Sequence, residues 1–192
     1  MSVSLKKGQK VSLSKSGGGT LTRVRMGLGW DAAARKGMFG RKKTRSIDLD
    51  ASCLLFGPDG ELVDVVWFRQ LRSKDGSVVH TGDNLTGAGE GDDESVNVDL
   101  PAVPAGVSQL VFTVNSFTGQ DFSEIENAFC RLVDETNGQE LARYDLSGGG
   151  PHTAQIMAKV TRDGQGWSMT AIGVPASGRT VEQLVPAVAS HL

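Results

Sequence analysis

The chain has 192 residues, 39 % hydrophobic and 22 % charged, with 20 lysines and arginines against 22 acids for a formal net charge of −2; this is too apolar for a disordered chain and ordinary for a globular one. The sum hides a division, because residues 1–46 hold twelve bases and one acid, Asp31, while residues 47–192 hold eight bases and 21 acids. No run reaches the ~18 consecutive apolar residues of a membrane-spanning helix, and the start, Lys6, Lys7 and Lys10 followed by Ser alternating with Val and Leu, lacks the apolar core of a secretory signal; the expectation is one cytoplasmic domain over residues 1–192.

From the N-terminus, Val24, Met26, Leu28 and Trp30 alternate with polar or glycine positions, and Ile47, Leu49, Ala51, Cys53 and Leu55 alternate again. A period of two predicts strands. Leu62 to Leu71 and Gln109 to Val114 read as buried runs, and Pro58-Asp59-Gly60 and Asp75-Gly76 mark turns. Phe129 to Val133 with Leu141 to Tyr144, and Ala154 to Val160 with Trp167 to Val174, read as hairpins across Asn137-Gly138 and Asp163-Gly164, pairs that supply the positive φ of a tight turn. Helical signal is confined to Ser123 with Glu126 and Thr180 with Gln183, each at capping-box spacing. The second would carry Val181, Leu184, Val185 and Val188 on one face as a lid on a sheet, with Pro186 kinking or shortening it. Cys53 and Cys130 lack metal-ligand spacing and disulfide density, and read as buried thiols. Nine or ten strands without a βαβ rhythm predict an all-β fold, a two-sheet antiparallel β-sandwich with one or two short helices.

Residues 82–94 hold five acids, Asp83, Glu90, Asp92, Asp93 and Glu94, with four glycines and no base. Curling such a segment brings like charges together, and two carboxylates about 5 Å apart repel by roughly 3 kcal/mol at an effective dielectric near 20. Either the segment stays extended and solvated or a cation condenses it. Strand geometry also puts Asp48 and Asp50 on one face, about 6.5 to 7 Å apart. They face solvent on the outside of a sheet, or they serve a hard cation. For a cation, oxygen ligands in irregular number suit Ca²⁺ better than Mg²⁺, and zinc or copper would want His or Cys, of which only His80 is near. The third, fifth and sixth positions counted from Asp83 are Leu85, Gly87 and Ala88, which excludes an EF-hand. The ligand set is then drawn from Asp48, Asp50 and the 82–94 segment, with Asp31 as a further carboxylate.

The opening Met-Ser-Val-Ser-Leu, Gly27-Leu-Gly-Trp-Asp31, Asp48-Leu-Asp-Ala-Ser52, His80-Thr-Gly-Asp-Asn-Leu-Thr-Gly87, Gly91-Asp-Asp-Glu94 and Ala142-Arg-Tyr-Asp-Leu146 together resemble the TerD-type tellurium-resistance family over essentially the whole chain. The resemblance implies a bacterial cytoplasmic β-sandwich that binds calcium and belongs to stress-response systems associated with tellurite, phage and colicin resistance; it implies no particular molecular activity. The family's acidic motifs fall on Asp48, Asp50, Asp83, Asn84, Glu90, Asp92, Asp93 and Glu94. Eight side chains exceed the set of one calcium, so either two ions share them or several orient the ligands; two ions are the expectation.

Three functions compete. The expected one is a non-catalytic, calcium-dependent binding or sensing module whose ion orders loops that contact a protein partner, other Ter-type proteins included, or a polyanion. A metal-dependent hydrolase is the second, disfavoured because calcium is a poor water activator and His80, His152 and His191 offer no convincing base. The third is nucleic-acid contact through residues 35–45, six bases in eleven residues with Phe39 among them, for which a solvated basic loop is the simpler account. Gly87-x-Gly89-x-Gly91 is no phosphate cradle, since Glu90 lies within it and two aspartates follow. The oligomeric state is left open.

Overall fold

Alternation along the chain builds a computed structural model described over residues 3–4, 9–12, 21–32, 35–36, 42–43, 48–83, 91–145, 150–164 and 166–192. Its strands are β1 (Val3–Ser4), β2 (Lys10–Ser12), β3 (Arg23–Ala32), β4 (Arg35–Lys36), β5 (Lys42–Lys43), β6 (Leu49–Phe56), β7 (Leu62–Val66), β8 (Val78–His80), β9 (Glu94–Asp99), β10 (Gln109–Ser116), β11 (Ile125–Asp134), β12 (Gln139–Asp145), β13 (Ala154–Asp163) and β14 (Gly166–Ala176), followed by helix α1 (Val181–Ala189). One six-stranded sheet runs β1-β12-β11-β3-β9-β8 and the other β2-β14-β13-β10-β6-β7. All pairs within them are antiparallel except β1 with β12. The expected all-β sandwich is the fold.

The predicted alternation fills the space between the sheets. Val24, Met26, Leu28 and Trp30 of β3 pack in one cluster with Leu49, Ala51, Cys53 and Leu55 of β6 and Leu110, Phe112 and Val114 of β10. The intervening apolar positions of β6 and β10, Leu54, Phe56 and Val111, face the other way and are covered by Val181, Leu184 and Val188 of α1. The second sheet is therefore buried on both faces where the helix lies, and each such aliphatic side chain contributes about 1.5–3 kcal/mol. Pro186 sits inside α1, where it removes one helical hydrogen bond, so this short helix depends on its packing.

Both predicted hairpins are present, β11–β12 and β13–β14, with Gly138 at φ +72 and Gly164 at φ +59 in their turns. Two expectations are corrected. Leu62 to Leu71 is not one buried run: β7 is an edge strand ending at Val66, Trp67 and Gln70 exchange backbone hydrogen bonds across a turn, and Leu62, Val63 and Leu71 are exposed. The helix expected at Ser123 is a single 3-10 turn, Phe122–Glu124, capped by Asp121, whose side chain accepts from Ser123 N; the chain then extends at once into β11, whose Ile125, Ala128 and Cys130 belong to the core. At α1, Gln183 does reach back, but to Arg179 N at 2.7 Å rather than to Thr180. Within 35–45, β4 and β5 pair as a two-residue ribbon, Arg35 opposite Lys43 and Lys36 opposite Lys42.

Candidate metal centre

Because Leu49 and Ala51 turn inward, Asp48 and Asp50 share the opposite face at the entrance to β6. Asp83 joins them from the segment after β8, reached through Gly82 at φ +122, a conformation that suits glycine. One carboxylate oxygen from each of the three lies within 4.8 Å of the others. Asp48 and Asp50 are 9 % and 3 % exposed, and Asp83 is at the surface. Burial, then Asp83 and Glu94, pushes the Asp48 carboxyl up to about 6. Burial, then Glu94 and Asp48, pushes Asp50 up to about 8 against the opposing effect of a hydrogen bond from Asn115. Asp48 Oδ1 is buried without a hydrogen-bond partner among the described residues.

Asp64 shows what a satisfied buried aspartate looks like in the same sheet. It is 7 % exposed, and burial alone would raise it, yet it is held below the usual carboxylate range. Lys74 N, Gln70 Nε2 and Val65 N donate to it at 2.7, 2.9 and 3.0 Å. Three donors outweigh desolvation there. Among the described residues Asp48 and Asp50 have no comparable set, which is the condition a hard, oxygen-seeking cation relieves.

Glu94 and His80 close the site from the first sheet. β10 flanks β6 at Ala51 on one side, but on the other β7 pairs with β6 only from Cys53 onward, leaving that side of Ala51 without a strand. Glu94 Oε2 accepts from Ala51 N at 2.7 Å, and His80 Nε2 lies 3.1 Å from Ala51 O and 3.3 Å from Glu94 Oε2. Gly82 N donates to His80 Nδ1 at 3.1 Å, which assigns the ring proton to Nε2 as the donor to those oxygens. The same ring thus fixes β6 on one side and the approach to Asp83 on the other.

Asp92 and Asp93 are tied to β3. Asp92, its side chain 4 % exposed, pairs with Arg25 through Oδ2 and with Arg131 through Oδ1, the latter at 2.6 Å. Its carboxylate lies over Gly27, where any Cβ would overlap it. Asp93 N donates to Leu28 O at 2.8 Å, and Asp93 Oδ2 accepts from Trp30 N at 3.0 Å.

Of the nine expected ligands, the structure brings Asp48, Asp50 and Asp83 together and sets Glu94 beside them with one oxygen committed to Ala51 and His80. It places Asp92 against two arginines and Asp93 along β3, where both carboxylates fasten the segment. Asp31 is in β3, with its side chain outside the description; Asn84 and Glu90 lie outside the described residues. Two contributors were not legible as such. His80 reads in sequence as a neighbour of the loop, and Asn115 carries no local signal, since only the register of β10 opposite β6 sets it against Asp50.

A family model described as the TerD domain matches residues 1–186. The chain is 50 % identical over 184 residues to tellurium resistance protein TerZ of Serratia marcescens, covering 95 % of this chain and 94 % of that protein. It is 39 % identical over 197 residues to stress response protein SCP2 of Bacillus subtilis, covering 96 % and 98 %. In fold it is similar to the crystal structure of a homologue of telluride resistance protein (TerD) from Streptomyces coelicolor A3(2), with a TM-score of 0.73 at 21 % identity over 88 % of this chain and 98 % of that one. With its own sequence matched over nearly its full length, the chain belongs to the TerD domain family of tellurium-resistance and stress-response proteins.

Proposed function

We propose that this protein is a non-catalytic, calcium-dependent binding or sensing module of a bacterial stress response. The observation that carries the reading is the convergence of Asp48, Asp50 and Asp83, two of them buried and both pushed up in pKa, with Asp48 Oδ1 unpartnered among the described residues. These three would hold one calcium, with backbone oxygens and water completing its shell. A second ion would draw on residues 84–90, which include Asn84 and Glu90. Calcium would supply charge neutralisation and a fixed geometry, and the protein's part is to hold Asp83 against the start of β6 for a partner protein to read.

A binding role is supported over hydrolysis by His80, the imidazole nearest the acids: both its nitrogens are engaged, with Gly82 N on one side and Ala51 O and Glu94 on the other. Isothermal titration of chelator-treated protein with Ca²⁺, followed by melting with and without the ion, tests the proposal. Binding with a raised melting temperature, lost in Asp48→Asn and Asp50→Asn, is expected. A flat titration to millimolar Ca²⁺ overturns it.

A further inference from the structure

Asn115 is 1 % exposed and stands on β10 directly opposite Asp50. Its Nδ2 donates to Asp50 Oδ2 at 2.8 Å and to the carbonyl oxygen of Arg179 at 2.9 Å. An amide nitrogen carries two hydrogens, so both are committed. Because the Arg179 carbonyl can only accept, the amide's orientation is fixed. Arg179 immediately precedes Thr180, the N-cap of α1. It is held from two further directions: its Nε donates to Phe117 O at 2.9 Å, and its N–H donates to Gln183 Oε1 in the first turn at 2.7 Å. Phe117 in turn donates its N–H to Asp48 O at 3.1 Å. The approach to the helix is therefore tied to both buried aspartates, through Asn115 to Asp50 and through Phe117 to Asp48.

We propose that Asn115 couples cation occupancy of the Asp48–Asp50–Asp83 group to the seating of α1, so that the helix responds to the ion together with the segment at Asp83. This rests on the calcium reading above. A nine-residue helix with Pro186 inside it has little stability of its own, so its opening is governed by how it docks. A cation that fixes the Asp50 carboxylate fixes the acceptor of one Nδ2 hydrogen, and the amide then holds Arg179 O with less freedom to let go. Coupling of this kind needs no change in mean structure, only fewer openings at the far end of a shared bond network.

The test is hydrogen exchange of the α1 amides with and without saturating Ca²⁺ as the sole added ligand, in the wild type and in Asn115→Ser. A serine hydroxyl can serve one of the two acceptors but not both. Amides of β12, whose backbone pairs with β1 and β11 in the other sheet, report the general stabilisation that any bound ligand brings. In the wild type, Ca²⁺ slows exchange in α1 by at least about fivefold beyond its effect in β12. Asn115→Ser, compared at the Ca²⁺ concentration that saturates the variant itself, loses that excess. Gln183→Ala, at an exposed position, releases Arg179 N–H without touching the core and lowers the excess in the same direction, which keeps the test decisive should Asn115→Ser not fold. Calcium binding to the wild type with no excess slowing in α1, or an undiminished excess in folded Asn115→Ser, overturns the coupling. Absence of Ca²⁺ binding to the wild type is a separate result that removes the calcium reading and the coupling together.

Discussion

His80 and Glu94, their side chains 3.3 Å apart and fully shielded from solvent, serve Ala51 as a neighbouring strand would: the carboxylate takes its N–H and the imidazole faces its carbonyl. They belong to β8 and β9 of one sheet, and Ala51 to β6 of the other. The bridge thus closes the sandwich at the end where the three aspartates meet.

Removing either partner leaves buried polar groups without a bond, so Glu94→Ala and His80→Ala should each cost about 2–4 kcal/mol. The double variant should lose less than the sum, because each single change already breaks the shared arrangement. Urea unfolding of the three proteins measures this. Fully additive losses would show that the two side chains act separately.

Asp92 and Asp50 should behave as opposites. Asp92→Asn breaks two ion pairs to Arg25 and Arg131 and should lower stability by about 1–3 kcal/mol while changing Ca²⁺ affinity less than about tenfold. Asp50→Asn should lower Ca²⁺ affinity by more than about tenfold, since a carboxylate ligand is lost. Titration calorimetry on both variants decides, and an Asp92→Asn protein that fails to bind Ca²⁺ while remaining folded would place Asp92 at the ion after all.

That contrast marks how much of the site sequence can carry. Asp48 and Asp50 were legible because a period of two fixes a shared face within one strand, whatever the rest of the chain does. Asp92 was not, since its arginines come from β3 and β11, and a run of acids says nothing about bases folded against it. Glu94 read as the end of a loop, although the alternation of Val96 and Val98 already begins a strand there. The run from Leu62 to Leu71 misled for a related reason: apolar residues on an edge strand look, in sequence, like those of a central one. Ser123 and Glu126 matched a capping box, but the tertiary pull of Ile125 and Cys130 toward the core overrode the local helix signal.

Position 27 should accept nothing larger than glycine. A Cβ there would overlap the Asp92 carboxylate, whose two guanidinium partners hold it in place. Gly27→Ala should therefore destabilise the protein by about 1–3 kcal/mol. Adding Asp92→Ala to it should cost less than the two changes separately. Denaturation midpoints of the two single variants and the pair test this, and additivity would mean that the clash is relieved elsewhere.

The pH dependence carries opposite signs from two kinds of buried aspartate. Asp64 is held below its ordinary value, so it contributes stability above that value and loses it as pH falls through its folded pKa. Asp48 and Asp50 are raised to about 6 and about 8, so the folded state keeps protons that the unfolded chain has released. Their effect is a loss of stability as pH rises from about 4 to about 8 in the absence of the ion. Asp50→Asn should accordingly melt higher than the wild type in chelator at pH 8, by about 2–4 °C for each kcal/mol relieved, and should gain nothing from Ca²⁺. Binding to the wild type must strip the proton from Asp50. At pH 7 that is about one proton per ion, falling toward zero by about pH 9, read from the dependence of binding enthalpy on buffer ionisation. Binding at pH 7 without proton release would mean that Asp50 is already ionised in the free protein, and that the strain attributed to its burial is met by a group other than the cation.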